Sequence, residues 1–154
     1  MTDTATAALA FKTAFYNAAR TLYDPLVVKV MFGNSVEDLD RNQRVVFADI
    51  DARQEQGPLS STNRSRDETL ELTVVIAVWD PEGPDDLAVS TTAYGLLRSL
   101  EYYARKTDTT IGGTCMWCQL TAHRSYGYTP DEQLATGRLI EIEATFTARV
   151  RITG

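Results

Sequence analysis

The last stretch of the chain constrains the fold most. From Arg138 to about Ile152, Ile140, Ile142, Ala144, Phe146, Ala148, Val150 and Ile152 share one parity. Glu141, Glu143, Thr145, Thr147, Arg149 and Arg151 share the other. Successive side chains of a strand point to opposite faces, so this spacing predicts a long strand with one apolar and one polar face. At about 15 residues it is far above the usual ~5–6, and it is expected to overhang its helices and leave edges open to pairing. Thr69 to Trp79 repeats the pattern, with Leu70, Leu72, Val74, Ile76 and Val78 on one face. Strands with one apolar face suit an antiparallel sheet covered on a single side.

The cover comes from two amphipathic segments. In the first 23 residues, Phe11, Phe15, Ala18 and Leu22 recur at helical spacing, beside Ala8, Ala14 and Ala19. Thr2, Asp3 and Thr4 are candidate N-caps, and Asp24-Pro25 stops the helix. A second helix is expected from the Asp85-Asp86 cap to about Lys106, with Ala93, Leu96, Leu97, Leu100 and Ala104 as its stripe. Acids at its start and Arg105-Lys106 at its end complement the helix dipole.

Leu26 to Phe32 and Arg44 to Ala52 read as further strands, with a short helical turn over Ser35 to Asp40 between them. Residues 53 to 68, RQEQGPLSSTNRSRDE, read as one long polar loop. Gly112-Gly113 leads into a strand at 114 to 126, and a turn region over 127 to 137 precedes the final strand. The order is helix, three strands, helix, two strands. It predicts an α+β two-layer sandwich: a mainly antiparallel sheet of about five strands with two helices on one face, residues 1–154 as a single domain.

A chain of 154 residues can bury a full core without disulfides or metal. Its net charge of −6 argues against a general grip on nucleic-acid backbones. No apolar run reaches the ~20 residues of a membrane span. Asp3 stands where a signal peptide carries basic residues, so the chain is expected in a reducing cytoplasm.

Several groups could carry chemistry. Cys115-Met116-Trp117-Cys118 is a C-x-x-C, the spacing of a redox pair or of half a metal site. Redox pairs work at helix N-termini, whereas TCMWCQLTAHRSY reads as strand. Residues three apart on a strand face opposite ways with Cα atoms roughly 10 Å apart, beyond the ~7 Å a disulfide spans. Two ordinary strand thiols, one of them buried, is the expectation. His123, the sole histidine, shares a straight-strand face with Cys115 but lies roughly 26 Å along it. It reads as a residue of the polar face.

Asp49-x-Asp51 and Glu141-x-Glu143 each place two carboxylates on one face. On neighbouring strands the four could bind a divalent cation; otherwise they line a solvated face. Arg53, Arg64 and Arg66 concentrate cations in the polar loop and suit a negative partner surface. Catalytic residues, cofactor and metal are therefore expected to be none. A small metal-dependent enzyme built on these groups is the rival from another class.

The sequence resembles the tail terminator proteins of phages with long non-contractile tails. The resemblance spans nearly the whole chain through YDPLVVKVMFG, RSRDETLELTVVIAVWD, DDLAVSTTAYGLLRSLE and GRLIEIEATFTARVRI. Its most specific piece is the D-x-T-x-G-G-T run, Asp108 to Thr114. The resemblance implies a homo-hexameric ring that caps the tail tube, ends its polymerisation and offers a joining surface to the head connector. DNA passes through without specific binding, and the protein ends at the head-proximal end of the virion tail after assembly in the host cytoplasm. By this analogy Gly112 and Gly113 form a structural hinge, and the loop with Arg53, Arg64 and Arg66 faces the tail tube protein. Glu141 and Glu143 against Arg149 and Arg151 are the expected contacts between subunits. Related neck (head-closure or head–tail connector) and minor tail proteins share similar folds and form the nearest alternative.

Overall fold

A computed structural model describes residues 5–33, 42–56, 65–83, 85–134 and 137–152. Its elements are α1 (Ala8–Leu22), β1 (Val28–Phe32), β2 (Gln43–Gln56), β3 (Arg66–Asp80), α2 (Asp86–Tyr102), β4 (Trp117–Arg124) and β5 (Arg138–Ile152). The five strands form one sheet in the order β1-β2-β3-β5-β4. Only β1 and β2 run parallel; the other neighbours are antiparallel. The fold is the α+β sandwich that the alternation predicts. The helical turn expected over 35–40, the caps at Thr2, Asp3 and Thr4, and Arg64 lie outside the described residues.

β3 and β5 form the spine, pairing without a break from Arg66↔Ile152 to Asp80↔Arg138. Their inward residues from Leu70 to Val78 and from Ile140 to Ile152 are buried. β5 therefore does not overhang: its core face is covered through Val150 and Ile152. Where β3 leaves the sheet, Gly137 lies so close that a Cβ there would sit 2.6 Å from the Asp80 carbonyl oxygen, which only glycine tolerates.

α1 buries Phe11, Phe15 and Ala19, a strict i, i+4 row that continues to Tyr23 while Leu22 stays outside. The Phe15 ring meets Phe47 at 5.4 Å and Phe146 at 5.1 Å, both edge-on, and so locks α1 onto β2 and β5. Emptying such a site to Ala costs about 3–5 kcal/mol. α2 buries Val89, Ala93, Leu97 and Leu100, and continues through a π-helical turn, Tyr103–Thr107, that tucks Ala104 inward. Among the described residues, no helix is long and apolar enough to cross a membrane.

Two β-bulges reset strand parity. In β2, Val45 and Phe47 face the core, so straight alternation would bring Asp49 and Asp51 in beside them. A bulge between Phe47 and Ile50 pairs Ile50 with buried Leu72 and turns Asp51 outward against Glu71. In β4 a bulge between Leu120 and Ala122 pairs His123 with Ala144, on the helix side.

The long polar loop is shorter than its composition suggests. β2 continues to Gln56 and β3 begins at Arg66, joined by Gln54↔Glu68, Glu55↔Asp67 and Gln56↔Arg66. The connection is confined to 57–65. Cross-strand pairing satisfies this polar backbone, which local composition cannot reveal.

Candidate functional surfaces

Cys115 closes a turn built around Asp108, and Cys118 lies just beyond it in β4. One carboxylate oxygen of Asp108 accepts the Gly112 N–H at 2.7 Å. The other accepts the Thr110 N–H at 3.2 Å and its hydroxyl at 3.1 Å. The Thr110 hydroxyl oxygen in turn accepts the Gly113 N–H at 3.2 Å. These bonds, the Gly112 N–H first, hold the Asp108 carboxyl below its ordinary range. Ile111, Gly112 and Gly113 all take positive φ, at 44°, 67° and 77°. Two are glycines; Ile111 is β-branched and strained there, and its full burial offsets the strain. The chain passes from the π-helical turn into β4 through this loop, so Gly112 and Gly113 carry the reversal.

Cys115 precedes β4, where its N–H donates to the Thr110 carbonyl oxygen at 3.1 Å. It is therefore not on the strand, and the expectation of opposite faces fails: Cys115 and Cys118 are both buried, at 8% and 3% exposure, and both are free thiols. Burial pushes the Cys115 thiol up to about 11 and raises Cys118 too. That environment disfavours the thiolate on which redox and metal chemistry depend.

His123 is not on the polar face. The β4 bulge swings it to the helix side, where its ring meets Tyr94 of α2 edge-on at 5.9 Å. The two carboxylate pairs are separated, because β3 stands between β2 and β5; Asp49 and Asp51, either side of inward Ile50, are both exposed. Among the described residues, no three His, Cys, Asp or Glu side chains gather as a metal site.

Arg53 lies within β2, 3.7 Å from Glu71, and Arg66 opens β3. On the open face of the sheet, Asp67 accepts from Arg151 Nε at 2.7 Å and from Arg149 at 3.3 Å. The two arginines expected at a subunit contact are thus engaged inside the chain. Glu141 and Glu143 sit at the other end of β5, opposite Ala77 and Val75 of β3.

Glu68 escaped the sequence reading because it fell in the supposed loop. Its side chain is fully buried on the helix side of β3. It accepts the Ala7 N–H at 2.8 Å, the Thr6 hydroxyl at 2.6 Å and the Gln54 side-chain amide at 2.9 Å. A carboxylate at a helix N-terminus satisfies orphan N–H groups and the dipole together. The signal was present: carrying the parity of Leu70 and Leu72 back by two residues puts Glu68 on the core face.

Two clefts of unlike lining stand apart on the sheet. Beside β1, a cleft of about 460 Å³ is lined by Arg20, Pro25, Val28, Lys29 and Val30. Beyond β4, a cleft of about 270 Å³ is lined by Tyr126, Tyr128, Glu132, Leu139 and Glu141. Sequence reasoning assigned no role to Arg20, Tyr126 or Tyr128. These features define an α+β sandwich with two unlike clefts. No protein-family model matches the chain, and no curated protein matches it.

Proposed function

We infer that the chain is a structural ring subunit of the tail-terminator type. It caps a phage tail tube, ends its polymerisation and presents a surface to the head connector, with DNA passing through the ring. The supporting observation is the Asp108–Thr114 turn, set between α2 and β4 of a sandwich whose elements follow the order the resemblance implies. This is a fold-level analogy joined to one motif. Head-to-tail contacts around a ring need two different complementary patches on each subunit, and the clefts beside β1 and around Tyr126 differ in lining. The rival enzyme reading requires at least three of Asp49, Asp51, Glu141, Glu143, His123 and the two cysteines in one pocket; β3 stands between the carboxylate pairs, and no metal-binding group of three gathers among the described residues.

The test is to add the purified chain to polymerising tail-tube subunits and measure tube length by electron microscopy. Capped tubes of one defined length are expected, with native mass spectrometry giving a species at six times the 17.1 kDa chain mass. Unchanged tube length would move the chain to the neck proteins. Stoichiometric bound zinc or manganese would overturn the structural reading.

A further inference from the structure

We propose that the acid-rimmed tyrosines beyond β4 of one copy dock into the base-rimmed cleft beside β1 of the next copy. The proposal rests on the ring reading and assigns that ring its contact.

The two patches are separate: one lies beside the outer strand β1, the other over Val75 of β3 and Glu141 and Glu143 of β5, where the β4–β5 connection leaves the sheet. In the β4–β5 connection, Tyr126 and Tyr128 are 69% and 57% exposed, with their rings 6.2 Å apart. Two clefts meet under them, sharing Ser125, Tyr126 and Glu141. Glu132 lines one, Glu143 lines the other, and Arg124 is the cation present, its guanidinium over the Tyr126 ring. Exposed aromatic rings with a polar rim are the composition of an interface centre.

The receiving cleft has the complementary character. Its apolar lining is Pro25, Val28 and Val30, with exposed Leu22, Leu26 and Val27 nearby. Its charged lining is Arg20 and Lys29. The nearby acid, Asp24, accepts the Leu26 N–H at 2.9 Å. Among the described residues, the cleft beside β1 is lined by two cations, and the clefts around the tyrosines by three carboxylates and one cation. Opposite rims favour this register and disfavour pairing either patch with its own copy. Two unlike, complementary patches on one subunit generate a head-to-tail contact, which closes into a ring when the rotation permits.

Cysteine pairs read this contact directly, because native Cys115 and Cys118 are buried and give little background. Arg20→Cys and Tyr128→Cys both fall at exposed positions. Mixing the two single variants under mild oxidation is expected to give a disulfide-linked species at twice the 17.1 kDa chain mass. Each variant alone is expected to give none, and the double variant a ladder. A charge swap gives a second reading: Arg20→Glu and Glu132→Arg should each lose assembly, and their combination should regain it.

Like-with-like dimers, or a mixture that fails to cross-link while the unmodified chain forms its ring or caps tubes, would overturn the docking and leave the ring reading intact. A mixed dimer without a closed species and without any effect on tube length would do the reverse. A cross-link to the tube protein instead would assign the patches to that partner and also defeat the proposal. Failure of both the mixed cross-link and every assembly assay would remove both.

Discussion

Two carboxylates, Glu68 and Asp108, do similar work in opposite settings. Glu68 reaches from β3 to the start of α1, a partner 61 residues away, and is fully buried. Asp108 binds amides two and four residues ahead of it, at the edge of solvent. The first ties a helix to the sheet, so its bonds exist only when both are in place. The second fixes a local turn with its own sequence. A long-range buried anchor contributes to global stability; a local exposed one mainly fixes where the chain goes. Water can substitute for the partners of Asp108 far more readily than for those of Glu68.

The largest effect should therefore follow Glu68→Ala. It removes the carboxylate that accepts from the Ala7 N–H, the Thr6 hydroxyl and the Gln54 amide, which keeps the Ala5 carbonyl oxygen. A loss of about 3 kcal/mol is expected from urea denaturation, given about 1–3 kcal/mol per buried unsatisfied group and partial rescue by water. Glu68→Gln keeps an acceptor oxygen and should lose about half as much. Amide exchange should show α1 opening first in both variants. A smaller loss for Glu68→Ala than for Asp108→Ala would break the comparison.

The same contrast explains what could be read from the sequence. β3 and β5 were legible because their ladder is unbroken and their alternation is clean. α2 was legible because its stripe, its Asp85 cap and its basic end agree. β2 and β4 were legible as strands but not in their facing, because each carries a bulge. A bulge depends on the partner strand, so His123 took the wrong face in a straight reading, and the bulge that leaves Asp49 and Asp51 exposed beyond inward Val45 and Phe47 carries no mark in the sequence. The flanks of the polar loop were missed for a related reason. Arg53 to Gln56 and Arg66 to Glu68 are polar on both sides, yet one side is solvent and the other meets a helix start. Cys115 was assigned to the strand because Gly112-Gly113 marks a turn without marking its end. Of the surfaces, Tyr126 read as the end of a strand and Tyr128 as a turn residue, and only the folded chain brings their rings to 6.2 Å.

An intermediate effect is expected at the Asp108 turn. Gly112→Ala should cost about 1–2 kcal/mol, the left-handed penalty of an L-residue. The added Cβ meets only Ala14 at 3.6 Å, so no clash adds to it. The turn also carries a pH signature. The folded Asp108 carboxyl sits below its unfolded value, held there first by the Gly112 N–H. Its contribution is thus fully present above the ordinary carboxylate range near ~4 and is lost as pH falls through the lower folded value. Urea midpoints from neutral pH downward should decline less steeply in Asp108→Asn. Equal slopes would show that the carboxylate is not what holds the turn.

The smallest effect should come from Asp67, where the same chemistry lies open to water. Arg151 first, and then Arg149, hold its carboxyl below the ordinary range, with desolvation opposing them. The charges are exposed, and exposed ion pairs are screened by salt within about 10 Å at 0.1 M. Asp67→Asn should leave the urea midpoint unmoved within error at that salt, with a loss emerging only at low ionic strength. Its consequence lies elsewhere. Asp67 accepts from both arginines, so the substitution weakens that tie and leaves Arg149 and Arg151 available to a neighbour. If β5 contributes to contacts between copies, Asp67→Asn should change the concentration at which the six-chain species forms while monomer stability stays fixed. If assembly is unchanged as well, the arginines serve only their own sheet, and the contact rests on the two clefts.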